Sequence, residues 1–226
     1  MVYFPTLVMD NFYNNPDKVR EMALACEYGP NDRGEWPGVR SALLNELDGE
    51  FFQKFCLKLI NIFYDTNFHT VSLDVLSYFQ KIEPYSDDPN SNKNKGWIHK
   101  DDMIYAGIIY LNPDNELNTG TSVYHTNKNF NQDYIFKTGR KAKENLYKNG
   151  KDKNYDTIFE KSNGMFTEVT RVHNVYNRLI LIDGESYHAA QSLYTSGDPR
   201  LTQVFFVKKF ETNSASPIER VKKVDL

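Results

Sequence analysis

The chain has 226 residues, 40% of them hydrophobic and 14% aromatic, with 15 each of Tyr and Phe and a net charge of −3. That ring content excludes global disorder, no run of about 18 apolar residues exists to span a membrane as a helix, and the weakly acidic balance argues against bulk duplex binding while allowing a local basic groove. Cys26 and Cys56 each sit in an apolar helical pattern, which disfavours a disulfide framework or zinc ribbon and fits buried free thiols in a reducing cytoplasm. One domain with a real core is expected over 1–226, and the opening MVYFPTLVMD lacks the basic n-region of a signal peptide.

In chain order, Asn15-Pro16 is a helix start with Pro at the first helical position. Val19, Met22, Ala23 and Cys26 follow at helical spacing, and Gly29-Pro30 is the expected stop. Residues 30–41 read as a loop of turn formers. A second helix is predicted from near Asp48, with Phe52, Phe55, Cys56, Leu59, Ile60 and Phe63 on one wide apolar face. Near residue 70 the period changes to two: Val71, Leu73 and Val75 alternate, then Leu76, Tyr78, Gln80 and Ile82. Residues 86–96 read as a long flexible loop, and MIYAGIIYLN (103–112) as a buried strand ended by Pro113. RLILID (178–183) and RLTQVFFV (200–207) are two more strands. Helices followed by many closely spaced strands predict a mainly β fold, a sandwich or barrel backed by N-terminal helices. Between the strands, residues 125–163 carry nine basic against five acidic side chains, a net of +4 in an acidic chain. This stretch reads as an insertion outside the sheet core with a short helix over 139–148. It is either a solvated excursion or a lid for an anionic or polymeric substrate.

The chemistry concentrates in few residues. In WIHKDD (97–102), His99 and Asp101 are two apart, so on a strand both leave the same face. Asp102 points the other way, which favours Asp101 as the ligand. His188 follows the strand at 179–182, placing it across a sheet from that pair. Two imidazoles and one carboxylate leave open coordination positions and suit non-haem Fe(II) binding a cosubstrate and O2. Arg200 and Thr202 share a strand face twelve or so residues on. A guanidinium inside a barrel is costly unless an anion meets it, and Arg beside a hydroxyl makes a good carboxylate clamp.

The ordered set His99-x-Asp101, IIYLN (108–112), NTGTSVY (118–124), distal His188 and Arg200-x-Thr202 resembles the iron(II)- and 2-oxoglutarate-dependent oxygenases, in their prolyl-hydroxylase-like branch. The segments DNFYNNPDKVREMAL, WPGVR and RLTQVFFV are similar to a small, poorly characterised group of oxygenase-like proteins, some phage-encoded. The resemblance covers most of the chain except the basic insertion. It departs from the family pattern in a single Gly120 where two glycines are common, and in the 87-position separation of Asp101 and His188. It implies a double-stranded β-helix (jelly-roll) core. It further implies Fe(II) on His99, Asp101 and His188, with the distal carboxylate of 2-oxoglutarate on Arg200 aided by Thr202. Tyr110 would donate to the same carboxylate, and on an alternating strand it shares a face with Ala106 and Ile108. The implied activity is hydroxylation of an unactivated C–H.

Three functions follow. The first acts on a protein or peptide side chain. The second acts on nucleic acid or a small metabolite, motivated by the basic insertion and not favoured for nucleic acid. The third is a non-catalytic jelly-roll module. Monomer and homodimer both fit, and no membrane association is expected. His125 and His173 read as structural or substrate-side and His69 as a loop residue. Trp97 reads as a pocket wall or core packing, and Trp36-Pro37-Gly38 as a packed turn before a substrate-contacting loop.

Overall fold

The computed structural model describes residues 4–113, 116–149 and 154–224. Two antiparallel sheets form the framework. Their strands are β1 (Leu7–Met9), β2 (Tyr28–Gly29), β3 (Val39–Ser41), β4 (Val71–Ile82), β5 (Tyr105–Tyr110), β6 (Thr121–Thr126), β7 (Phe166–Val172), β8 (Leu179–Asp183), β9 (Tyr187–Ala190) and β10 (Arg200–Thr212). The larger sheet runs β1-β8-β5-β10-β4-β3-β2 and the smaller β7-β6-β9. The helices are α1 (Pro16–Ala25), α2 (Leu44–Leu47), α3 (Gly49–Phe63), α4 (Gln132–Tyr134), α5 (Arg140–Asn149), α6 (Tyr155–Asn163) and α7 (Pro217–Lys222). Among the described residues no helix is long and apolar enough to cross a membrane.

Local chemistry sets the helix starts. The Asn15 side chain accepts from Lys18 N ahead of Pro16, and Asp48 accepts from Phe51 N; each such cap contributes about 1 kcal/mol. The helix α1 ends at Ala25, short of the expected stop, because Tyr28 and Gly29 pair with Ser41 and Arg40. The stretch read as a loop thus supplies strand β3, which pairs with β4 on one side and β2 on the other. Residues 86–96 are tied down by the buried Asn94. Its Oδ1 accepts from the backbone N–H of Tyr85 and Ser86, and its Nδ2 donates to the carbonyls of Ser86 and Asp88.

Strand alternation sorts the central residues between two environments. In β8, Leu179 and Leu181 join Phe55, Leu59, Val19 and Ala23 in the core under α1 and α3, while Ile180 and Ile182 meet Val123 and Val172 of the smaller sheet. Both faces are covered, so the strand reads as an unbroken apolar run. In β10, Leu201, Phe205 and Val207 belong to the helix side, whereas Arg200, Val204 and Phe206 line a cavity on the other side. The two alternations read in β4 are likewise its two faces: Val75 and Phe79 sit in the helix core, and Gln80 and Ile82 line the cavity.

Beyond the end of β6 at Thr126, the described residues of the basic insertion contribute no strand to either sheet, yet the stretch is not the solvated excursion that was one of its two readings. Ala142, Leu146, Tyr147, Tyr155 and Phe159 form a buried cluster with Ile82, Trp97 and Leu193. Burial of such side chains contributes about 1.5–3 kcal/mol each, enough to hold α5 and α6 against the body, where Lys143 and Tyr147 become cavity wall. The helix read over 139–148 is α5, preceded by a π-helical turn at Ile135–Gly139. Of the insertion's charges, Lys151, Asp152 and Lys153 lie outside the described residues.

Candidate metal and oxyanion site

His99 does not sit in a regular strand as the sequence reading assumed. It forms a single antiparallel bridge to His188 of β9. The His99 N–H donates to the His188 carbonyl at 3.1 Å and the His188 N–H donates back at 2.8 Å. The two imidazoles are therefore cross-strand neighbours, with ring centroids 4.6 Å apart, rather than groups facing each other across a sheet. Asp101 completes the group: its oxygens lie 3.8 Å from His99 Nε2 and 3.5 Å from His188 Nε2. One ligand atom from each residue falls within 4.8 Å of the others, so the three can hold one metal ion.

The tautomers are fixed by the backbone. His99 Nδ1 lies 2.8 Å from the Trp97 carbonyl and His188 Nδ1 lies 3.0 Å from the Ser186 carbonyl. A carbonyl only accepts, so each Nδ1 carries a proton and Nε2 is the atom each ring turns toward Asp101 and offers to a metal. Burial and the neighbouring His188 pull the His99 pKa down to about 4; its ring is walled by the cavity yet 44% exposed through the opening. Burial pushes Asp101 up, but the hydrogen bond and charge of His188, with His99 and Arg40, outweigh it, and the carboxyl stays well below its ordinary range. Burial pushes His188 down, and its bond and charge from Asp101 more than reverse this.

Arg200 is 2% exposed and Thr202 is fully buried. Arg200 Nε donates to the Thr119 carbonyl at 3.1 Å, and the guanidinium lies 5.6 Å from the Tyr110 ring centroid. Arg200 Nη2 and Thr202 Oγ1 are buried with no hydrogen-bond partner. Unsatisfied groups of this kind cost about 1–3 kcal/mol each, more when charged, and a carboxylate against Arg200 and Thr202 would satisfy both. Tyr110 stands opposite Thr202 in the register, but its hydroxyl is hydrogen-bonded to Thr121 Oγ1 at 2.8 Å. Burial raises its pKa, so it stays a neutral phenol.

The remaining motif residues position Arg200. Asn112 of the Tyr-Leu-Asn segment accepts from Leu201 N at 2.7 Å and donates to the Pro199 carbonyl at 3.0 Å, clasping the backbone on both sides of Arg200. Thr119, whose carbonyl holds Arg200 Nε, is itself held by Asn174 Nδ2 at 2.8 Å. At Gly120 a Cβ would collide with the Val172 carbonyl oxygen, which explains why glycine is needed at this turn.

His99, Asp101, His188, Arg200 and Thr121 share one cavity of about 540 Å³, within the usual range for a small-molecule site. Trp97 is both wall and core, as it lines the cavity and packs on Phe159. Trp36 and Pro37 also line it, so the segment read first as a packed turn faces the site. His125 and His173 are exposed and line no part of it. Sequence reading missed Arg40, at the end of WPGVR, whose guanidinium packs 4.2 Å from the Trp36 ring centroid. Lys143, also on the cavity wall, was flagged only as one of the insertion's many charges.

Two antiparallel sheets with flanking helices are a fold shared with solved proteins that bind 2-oxoglutarate and iron or nickel. HygX from Streptomyces hygroscopicus, solved with nickel and 2-oxoglutarate bound, is 12% identical over 92% of this chain and 84% of its own, with a TM-score of 0.51. Its iron-bound form matches at 12% identity, 92% and 83% coverage and TM-score 0.51. A prolyl-4-hydroxylase from Pseudomonas putida matches at 12% identity over 90% of this chain and 92% of its own, with a TM-score of 0.48. No curated protein sequence matches the chain. The chain belongs to DUF6445, a family of unknown function, whose model matches residues 4–200.

Proposed function

We propose that this protein is an Fe(II)- and 2-oxoglutarate-dependent oxygenase that hydroxylates an unactivated C–H bond, with a protein or peptide side chain as the favoured substrate. The observation that carries the reading is Arg200, whose buried Nη2 has no hydrogen-bond partner and which lines the cavity that also holds the His99, Asp101 and His188 cluster; the unpartnered Thr202 Oγ1 lies two residues on along the same strand face. An isolated buried cation is a persistent cost; an oxyanion ligand offsets it.

His99, Asp101 and His188 would hold the iron through the two Nε2 atoms and the ionised carboxylate, with the proton that Asp101 favours on His188 given up on binding. Iron there would supply the redox chemistry that couples 2-oxoglutarate and O2 to hydroxylation. In that coupling O2 would take two electrons from 2-oxoglutarate and two from the C–H bond, giving succinate, CO2 and the hydroxylated product. Arg200 and Thr202 would bind the distal carboxylate, and the Tyr110–Thr121 hydrogen bond would fix the wall beside it. Val204, Ile182 and Trp97 would keep water from the reacting carbon.

The test is succinate formation from 2-oxoglutarate by the Fe(II)-loaded chain, with Asp101→Ala and His188→Ala as controls. Formation that is lost in both variants supports the reading. Equal formation in wild type and variants, or none under any substrate in a folded, metal-loaded protein, rejects it.

A further inference from the structure

Two cations on the far wall of the cavity have no function in holding iron or 2-oxoglutarate. Arg40 lies in β3 next to the Trp36-Pro37-Gly38 turn. Its guanidinium stacks 4.2 Å from the Trp36 ring centroid and also faces the rings of Tyr78, at 5.4 Å, and Phe206, at 5.1 Å. Its Nε is buried with no hydrogen-bond partner. Lys143, from α5, donates to the Glu35 carbonyl at 3.1 Å and uses no other acceptor among the described residues. The nearby carboxylates are taken: Glu144 pairs with Arg140 at 2.7 Å, Glu185 with Lys100 at 2.7 Å, and Glu35 faces Arg33 at 3.8 Å. Within 4.0 Å neither Arg40 nor Lys143 meets a carboxylate among the described residues.

We infer that Arg40 and Lys143 form a second oxyanion subsite, which receives a carboxylate or phosphate carried by the substrate. This inference rests on the oxygenase reading for the identity of the cavity, and it narrows the substrate class. The aromatic rings fix the guanidinium plane, so little side-chain freedom is lost when an oxyanion docks against its edge. Lys143 adds a mobile point charge from the opposite element. Burial lowers the pKa of both, to about 10 for Arg40 and below its ordinary value for Lys143, and the more distant charges of Asp101 and Glu35 offset this only in part. The subsite adjoins the metal cluster: the charge of Arg40 acts on Asp101 and that of Lys143 on His99. A substrate anchored there would present a carbon a short distance from its acidic group to the metal.

The experiment uses the full chain loaded with Mn(II) and 2-oxoglutarate, so that Arg200 is occupied. Tryptophan fluorescence follows titration with inorganic phosphate, free glutamate, acetyl-glutamate amide and neutral acetyl-glutamine amide. Saturable binding of an oxyanion probe, absent for the neutral amide and weakened about ten- to hundredfold in both Arg40→Gln and Lys143→Gln, is expected. Arg40→Lys should restore part of the loss. Preference among the probes separates a phosphorylated substrate, a free acid and a peptide-borne carboxylate. Affinities unchanged in both variants, or no probe binding better than the neutral amide, overturn the proposal and leave Arg40 as a packing residue. Circular dichroism checks each variant; should Arg40→Gln unfold, Lys143→Gln on the cavity rim decides. Failure of 2-oxoglutarate to bind would reject the oxygenase reading instead, and the same titrations on the unloaded chain would then judge the oxyanion subsite by itself.

Discussion

Replacing Arg200 by Met separates the cost of a buried guanidinium from its use. Without ligand, the side chain makes one bond from Nε to Thr119, faces the Tyr110 ring at 5.6 Å, and leaves Nη2 unpartnered. Losing the bond and the ring contact costs about 1–3 kcal/mol together. Removing an unpaired buried charge returns several kcal/mol, on the order of what burying it cost. Ligand-free Arg200→Met is therefore expected to melt at or above the wild type. With 2-oxoglutarate the ranking reverses. Truncating one partner of a buried charged pair costs about 2–5 kcal/mol, or roughly 30- to 4000-fold in Kd. At about one hundred times the wild-type Kd, ligand binding stabilises the wild type by about 2.7 kcal/mol. That is a rise of about 5–10 °C for a chain of this length, and the variant should keep at most about a third of it. Thermal melts with Mn(II), with and without 2-oxoglutarate, read both effects. A variant that melts far below wild type without ligand, or keeps the full ligand-dependent rise, refutes the role given to Arg200.

Other outcomes follow from the same geometry. Asp101→Ala and His188→Ala should weaken Mn(II) or Fe(II) binding by about 100-fold or more while far-ultraviolet circular dichroism stays unchanged, because the His99–His188 bridge is made by backbone; undiminished binding in a metal titration contradicts the ligand set. Asp101 is held ionised and His99 neutral near pH 7, so the proton competing with a metal is the one on His188, whose pKa is raised. Metal affinity should fall as pH drops through that value with a slope of about one proton per ion, and calorimetry in buffers of different ionisation enthalpy would expose a two-proton slope if His99 also competes. Asn94→Ala removes all four side-chain bonds that tie 85–94 and should cost about 2–4 kcal/mol in urea unfolding, with a loss below about 1 kcal/mol arguing that the loop holds without it.

The site was legible where chemistry forces residue identity and opaque where only the fold decides proximity. His99, Asp101, His188, Arg200 and Thr202 could be singled out as candidates because a metal set and a carboxylate clamp would each require such residue types at such spacing, and the structure brings the two histidines and Asp101 together. The alternation in β10 then had to place Arg200 and Thr202 together, since a slip of one residue would have aimed them into the helix core. The bridge between His99 and His188 was invisible, because a one-residue pairing leaves no periodic trace. Arg40 was hidden for a different reason: it lies 61 positions before Asp101 in a segment whose composition reads as turn, and only the pairing of β3 with β4 brings it to the cavity. The insertion's charge stood out, yet its buried aromatic face, Tyr147, Tyr155 and Phe159, was masked by the lysines around it. Thus an excursion that reads as solvated is in fact packed.

Anaerobic addition of Fe(II) and then 2-oxoglutarate to the purified chain tests the proposed site most directly. A weak visible absorption band that needs both components, and that fades in His188→Ala and Arg200→Met, is the expected result. A folded wild-type chain that takes up Fe(II) and 2-oxoglutarate without any such band, or that takes up neither, contradicts it.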